Sequence, residues 1–286
     1  MRKKLTAQGP KDRKSYTVTL PKGWVKEIGL DKTKELELEV VGRKVILSQD
    51  KDVQERVVVN TAECNKCLIK VLQELYRIGI SEIKFTLEDI SLLEEITKIV
   101  NENLIGFEII EQKEDFIVVK DITKESEESF HALLRRIFLL IIELSDSKEM
   151  IRINSLNMNI KRLINYCQRI LIKKGHADYM KIPVYYLFLD QLEKITDELR
   201  WVLKLKLPDN KQKILDEIKK LFRQCYELSY KFDLKKYNAS CNRTYTLKNE
   251  IKKLHGIDRA NMHLHNISRL MNSLYGNIFA LQFKSV

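Results

Sequence analysis

Proline and glycine are scarce: four and nine in 286 residues. That leaves little material for long structureless linkers. Long apolar runs are also missing. The longest strongly apolar run covers residues 137–142, far short of a bilayer span. The basic N-terminus leads into no apolar h-region, so no secretory signal is expected. Cysteine is sparse and odd in number, five in all, which points to reduced thiols in a cytoplasmic protein. Motifs of catalysis are absent too, with neither a Gly-rich phosphate loop nor a nucleophile elbow. One CxxC occurs, Cys64-Asn65-Lys66-Cys67, but no second pair completes a zinc site. His263 and His265, with His255 nearby, alternate on a helix and so point to different faces. No base–nucleophile pair is present, and exposed carboxylates are poorly placed for tuning. The chain does not read as an enzyme.

What is present is charge, unevenly spread. Residues 1–14 hold Arg2, Lys3, Lys4, Lys11, Arg13 and Lys14 against Asp12 alone, a net +5. Residues 15–50 balance, residues 51–124 carry −5, and residues 125–286 carry +11. A basic arm beside a small β domain suits the phosphate backbone of DNA. The basic C-terminal half suits DNA, an acidic protein or a phosphate-bearing ligand, and equally a well-solvated helical surface.

Residues 15–48 organise the chain. Tyr16, Val18 and Leu20 alternate with polar residues, the period of a half-buried strand. Pro21 opens a short helix with Trp24, Val25 and Ile28 on one face, ending at Gly29. Leu36, Leu38 and Val40 alternate with glutamates, and a turn at Gly42 and Arg43 leads into Val45, Ile46 and Leu47. The run from Thr17 to Lys22, the Trp24 to Leu30 helix end and the acidic alternating strand resemble the DNA-binding domain of AbrB, SpoVT and MazE-type transcription factors. That resemblance implies a swapped-hairpin β-barrel, closed by two chains, that binds DNA as a dimer. Ahead of the Thr-Val strand this chain has a longer segment, residues 8–14, than the family's short loop.

Residues 51–122 alternate strand and helix patterns, predicting a small α/β layer. Strands are expected near 57–59, 83–86, 104–111 and 116–120, with helices over 61–78 and 90–100. From residue 123 the chain is helical. Six apolar stripes predict six amphipathic helices in a bundle, the third over Val184 to Val202, the fifth near 247–254. A shift of 72 places Leu192 on Leu264, Ile195 on Ile267, Leu199 on Met271 and Val202 on Leu274. This suggests two three-helix repeats, about 123–207 and 208–286; any two amphipathic helices also align on their stripes. The run Leu192 to Asp197, the segment 104–111 and the repeat resemble archaeal PhoU-like phosphate-uptake regulators. In those an AbrB-type domain precedes the PhoU helices. The expected whole is an α+β multidomain chain of three parts: 1–50, 51–122 and 123–286.

Asp190, Glu193 and Asp197 fall at i, i+3 and i+7, on the face opposite the Leu192–Ile195–Leu199 stripe. Their bland reading is a solvated face neutralised by Lys194, Arg200 and Lys204. The PhoU resemblance implies a divalent or ferric metal at Glu193 and Asp197. The second-repeat positions, His265 and Arg269, do not fit such a site, since arginine does not ligate metal. Trp201 lies on the same outer face and reads as buried by a neighbouring helix. Together the resemblances imply a DNA-binding regulator of phosphate uptake, with the arm residues on backbone phosphates. The alternative is an adaptor that docks on a phosphate ABC transporter or a sensor kinase, its N-terminal segment serving only dimerisation. A third reading is an antitoxin-like module.

Overall fold

The computed structural model describes residues 3–10, 12–41, 44–48, 56–64, 67–123, 130–176, 178–254 and 258–282. The turn at Gly42 and Arg43, and His255, lie outside them. The chain divides into two compact units, Met1–Val53 and Gln54–Val286.

In the first unit, β1 (Thr6–Gln8) pairs antiparallel with β2 (Ser15–Thr17), Ala7 opposite Tyr16. The hydroxyls of Ser15 and Thr17 donate to the Gln8 and Thr6 carbonyls, each at 3.2 Å. α1 (Lys22–Glu27) follows Pro21 and ends at Ile28. Gly29, at φ 74°, turns the chain into α2 (Leu30–Thr33) through a left-handed conformation that glycine adopts freely. β3 (Glu37–Val41) and β4 (Lys44–Ser48) form a second antiparallel hairpin.

This corrects the expected barrel. The two hairpins are separate two-stranded sheets, open at their edges, and among the described residues no ladder joins them. A barrel needs one sheet closed on itself, and these strands of three to five residues pair only with their hairpin partners. The alternating apolar residues therefore lie uncovered: Tyr16, Leu38, Val40 and Val45 are all more than half exposed, whereas Leu30 is buried. Two further details differ. The strand from Ser15 stops at Thr17, short of Leu20, and part of the basic arm, Thr6–Gln8, is itself a strand.

The second unit opens with β5 (Arg56–Asn60), α3 (Thr61–Cys64), α4 (Leu68–Arg77) and β6 (Glu82–Thr86). β5 and β6 are parallel neighbours, so α3 and α4 are their crossover. α5 (Ser91–Asn103) leads to β7 (Phe107–Gln112) and β8 (Phe116–Asp121). β8 inserts antiparallel between β6 and β7, giving the order β5-β6-β8-β7. Ile83, Phe85, Ile117 and Val119 are fully buried, alternating as one sheet face requires.

Six long helices follow: α6 (Phe130–Asp146), α7 (Met150–Lys173), α8 (Ile182–Val202), α9 (Asp209–Tyr230), α10 (Leu234–Lys252) and α11 (Arg259–Gln282). α7 packs on α6 and α8, and also on α4 and α5 of the layer. α8 lies along α11, and α9 and α10 close around α11. The facing stripes Leu192, Ile195, Leu199, Val202 and Leu264, Ile267, Met271, Leu274 are all buried. α10 starts well before the expected 247. Its inward residues include Ser240 and Thr244, so an apolar stripe does not mark its first half. One continuous apolar core runs from the sheet helices into the bundle.

Candidate nucleic-acid interface and the carboxylate row

The N-terminal hairpin places its cations by simple register. Gln8 faces Ser15 across the ladder, so Arg13 and Lys14 sit at the turn end. Arg13 N–H donates to the Pro10 carbonyl at 3.0 Å, closing that turn, and Gly9 takes φ 100° to enter it. Lys3 and Lys4 precede β1 at the open end. All four are exposed, and none forms an ion pair among the described residues. At about 3.3 Å per strand residue and about 4.8 Å between strands, the register puts Lys4 and Lys14 roughly 17 Å apart. Unpaired cations at both ends of a short, exposed hairpin are free to meet phosphates. Arg2 and Lys11, counted with them from the sequence, lie outside the described residues.

The carboxylates of α8 are differently placed. Lys194 donates to Asp190 at 2.6 Å, one turn along the same helix. Glu193 accepts from Arg77 of α4 at 3.1 Å, and Arg77 also donates twice to the Asn165 side chain, at 2.8 and 2.7 Å. Asp197 accepts from Lys161 of α7 at 2.8 Å. The row thus meets cations from two other helices. Burial raises the Glu193 carboxyl above its ordinary range, opposed by Arg77 and Lys161 and reinforced by Asp197 and Asp190. Among the described residues no group of three or more His, Cys, Asp or Glu side chains stands where it can hold a metal ion. A metal on Glu193 and Asp197 has to displace Arg77 and Lys161.

At the matching place on α11, His265 stands among Lys248, Lys252 and Arg269; burial first, then these cations, lower its pKa. The structure brings forward a neighbouring residue that the sequence pattern passed over. Glu198 accepts from His263 Nδ1 at 2.6 Å and from the Asn266 amide at 2.9 Å, tying α8 to α11. Trp201 stacks near His263, its ring 6.5 Å away and 10° off parallel, and lies under Arg200 and Lys204. It remains 48% exposed rather than buried. Nothing in the sequence spacing marks Arg77, Lys161 or Asn165 as partners of this row, because contacts spanning tens of residues leave no periodic trace.

No disulfide joins cysteines among the described residues. Cys64 is half-buried, and burial, then Glu63 and Cys67, raises its pKa, the reverse of an activated nucleophile.

With this geometry in hand, comparison with known proteins gives one result. Residues 13–54 match the family described as Antidote-toxin recognition MazE, bacterial antitoxin. No curated protein and no solved structure matches the chain. The chain therefore carries a small N-terminal segment similar to a MazE-type regulatory domain, followed by a large helix-rich region. The matched family is one of recognition, in keeping with the non-enzymatic reading. The match ends at residue 54, so the PhoU likeness of residues 123–286 rests on sequence pattern alone. No helix of the described residues is long and apolar enough to cross a membrane.

Proposed function

We propose that the protein is a cytoplasmic DNA-binding regulator, acting as a homodimer or higher homo-oligomer, whose N-terminal unit grips DNA and whose helical region serves phosphate homeostasis. The observation that carries this reading is the coincidence of the MazE-type match over 13–54 with unpaired cations on the same hairpin. Arg2, Lys3, Lys4, Lys11, Arg13 and Lys14 are assigned to backbone phosphates. The exposed Leu38, Val40 and Val45 support self-association. The phosphate part comes from the PhoU resemblance, and so does a metal at Glu193 and Asp197, with Asp190 beside them.

The test is a binding titration against random and phosphate-gene promoter DNA at several salt concentrations. Affinity is expected to fall steeply with salt, and Arg13→Ala or Lys14→Ala each to lower the log–log slope by about one. An unchanged slope removes that residue from the interface. Elemental analysis of the same sample tests the metal. One feature favours the adaptor as a second reading: an apolar cleft of about 530 Å³ on the helical region, lined by Ile172, Ile182, Pro183, Tyr186 and Leu187. Absence of DNA binding even at low salt selects that reading.

A further inference from the structure

Arg162, half-buried, and Arg136, exposed, differ from most of the buried or half-buried cations of the second unit. Most of those have carboxylate partners: Arg77 with Glu193, Lys161 with Asp197, Arg169 with Asp121, Lys211 with Asp258. Arg136 and Arg162 have none among the described residues. They line one cavity of about 350 Å³, where α6 and α7 meet the loop after α5. Asn159, Arg162 and Tyr166 come from one face of α7 at i, i+3 and i+7, and Arg136 comes from α6. Leu133 and Leu163 supply an apolar wall, and among the described residues no carboxylate lines the space. The Nε of Arg162 is buried without a hydrogen-bond partner. A buried guanidinium N–H left unmade is costly and calls for a ligand or ordered water.

The geometry points to an anion site for a phosphate group in this cavity. A carboxylate has two oxygens, and one guanidinium fork with one further donor nearly saturates it. Two forks, a phenol hydroxyl and an amide offer more donors than that, and suit an anion with three or four oxygens. Arginine is the residue that binds such oxygens in pairs. The volume lies within the range of small-molecule sites and leaves room beside the leucines for a small attached group. The site stands on the cavity, not on the DNA reading or the PhoU resemblance, although phosphate chemistry is common to both.

The test is isothermal titration of the full-length chain, without DNA, so that it and the DNA reading fail separately. Three probes are used: inorganic phosphate, glycerol phosphate and acetate. Saturable binding of a phosphate probe, tighter than acetate, is expected. Arg136→Gln and Arg162→Gln are each expected to weaken it about tenfold or more, and Arg152→Gln, at an exposed pair with Glu143, to leave it unchanged. Arg136 is exposed, so its loss does not threaten the fold and keeps the test decisive if Arg162→Gln misfolds. Tighter glycerol phosphate identifies a phosphate ester as the ligand class, and tighter inorganic phosphate the free ion. The proposal is overturned by no saturable binding of either phosphate probe, by acetate binding as tightly, or by Arg136→Gln binding like the parent. Equal weakening by Arg152→Gln overturns it as well, because that shows general surface attraction.

Discussion

The two units handle positive charge in opposite ways. In Gln54–Val286 nearly every buried cation is answered by a carboxylate, often from a distant part of the chain. Arg169 is 3% exposed and held between Asp121 at 2.7 Å and the Tyr76 carbonyl at 2.6 Å. In Met1–Val53, Lys3, Lys4, Arg13 and Lys14 are exposed and have no carboxylate partner among the described residues. One apolar core is sealed in the large unit, with side chains such as Val58 and Ile151 left outside it, while the strand residues Tyr16, Leu38, Val40 and Val45 of the small unit lie open. The large unit pairs its most deeply buried cations, Arg169 and Lys211, with its own carboxylates. The small unit leaves its described cations and its strand residues exposed.

The largest expected effect breaks the paired side. Asp121→Ala strands Arg169 in the interior, and breaking a buried pair costs about 3–5 kcal/mol. Urea unfolding followed by circular dichroism measures it; a loss below about 1 kcal/mol shows that water reaches Arg169. Next comes the core: Ile195→Ala, fully buried where α8 faces α11, is expected to cost about 2–5 kcal/mol by the same assay.

A smaller effect is a pH dependence with two signs. Burial pushes the Asp121 carboxyl up, but the Thr123 hydroxyl and Arg169 outweigh it and hold the group below its ordinary 3.8. Its stabilisation is present above pH 3.8 and is lost as pH falls through the folded value. Glu193 behaves oppositely. Its folded pKa lies above 4.5, so the fold holds the extra proton in that window and stability declines as pH rises across it. Glu193→Gln is expected to remove the decline just above pH 4.5, read from melting midpoints at closely spaced pH. A decline of equal size in the variant assigns it elsewhere.

The smallest effects sharpen the contrast. Lys194→Ala removes an exposed pair with Asp190 and is expected to cost about 0.3–0.5 kcal/mol. Lys14→Ala is expected to leave the melting midpoint unmoved while lowering the salt slope of DNA binding. A midpoint shift for Lys14→Ala means that its charge is used within the unit after all.

The sequence by itself determined the element types, because period-2 and period-3.6 patterns are local. It marked the six bundle helices, the α/β alternation before them and the Gly29 turn. It missed β1, where a three-residue polar strand has no apolar alternation, and the first half of α10, where Ser240 and Thr244 face inward. It also marked the cationic arm, since charge counts need no structure. Only the tertiary structure decided that the hairpins of residues 6–48 stay open, because closure depends on what covers an apolar face. It alone joined Arg77 to Glu193 and Lys161 to Asp197, turning a row read as surface carboxylates into half-buried ion pairs. It alone showed that Arg136 and Arg162 share one cavity with no counter-charge among the described residues. Pairing across 36 to 116 positions is set by packing, and packing leaves no periodic mark in a single sequence.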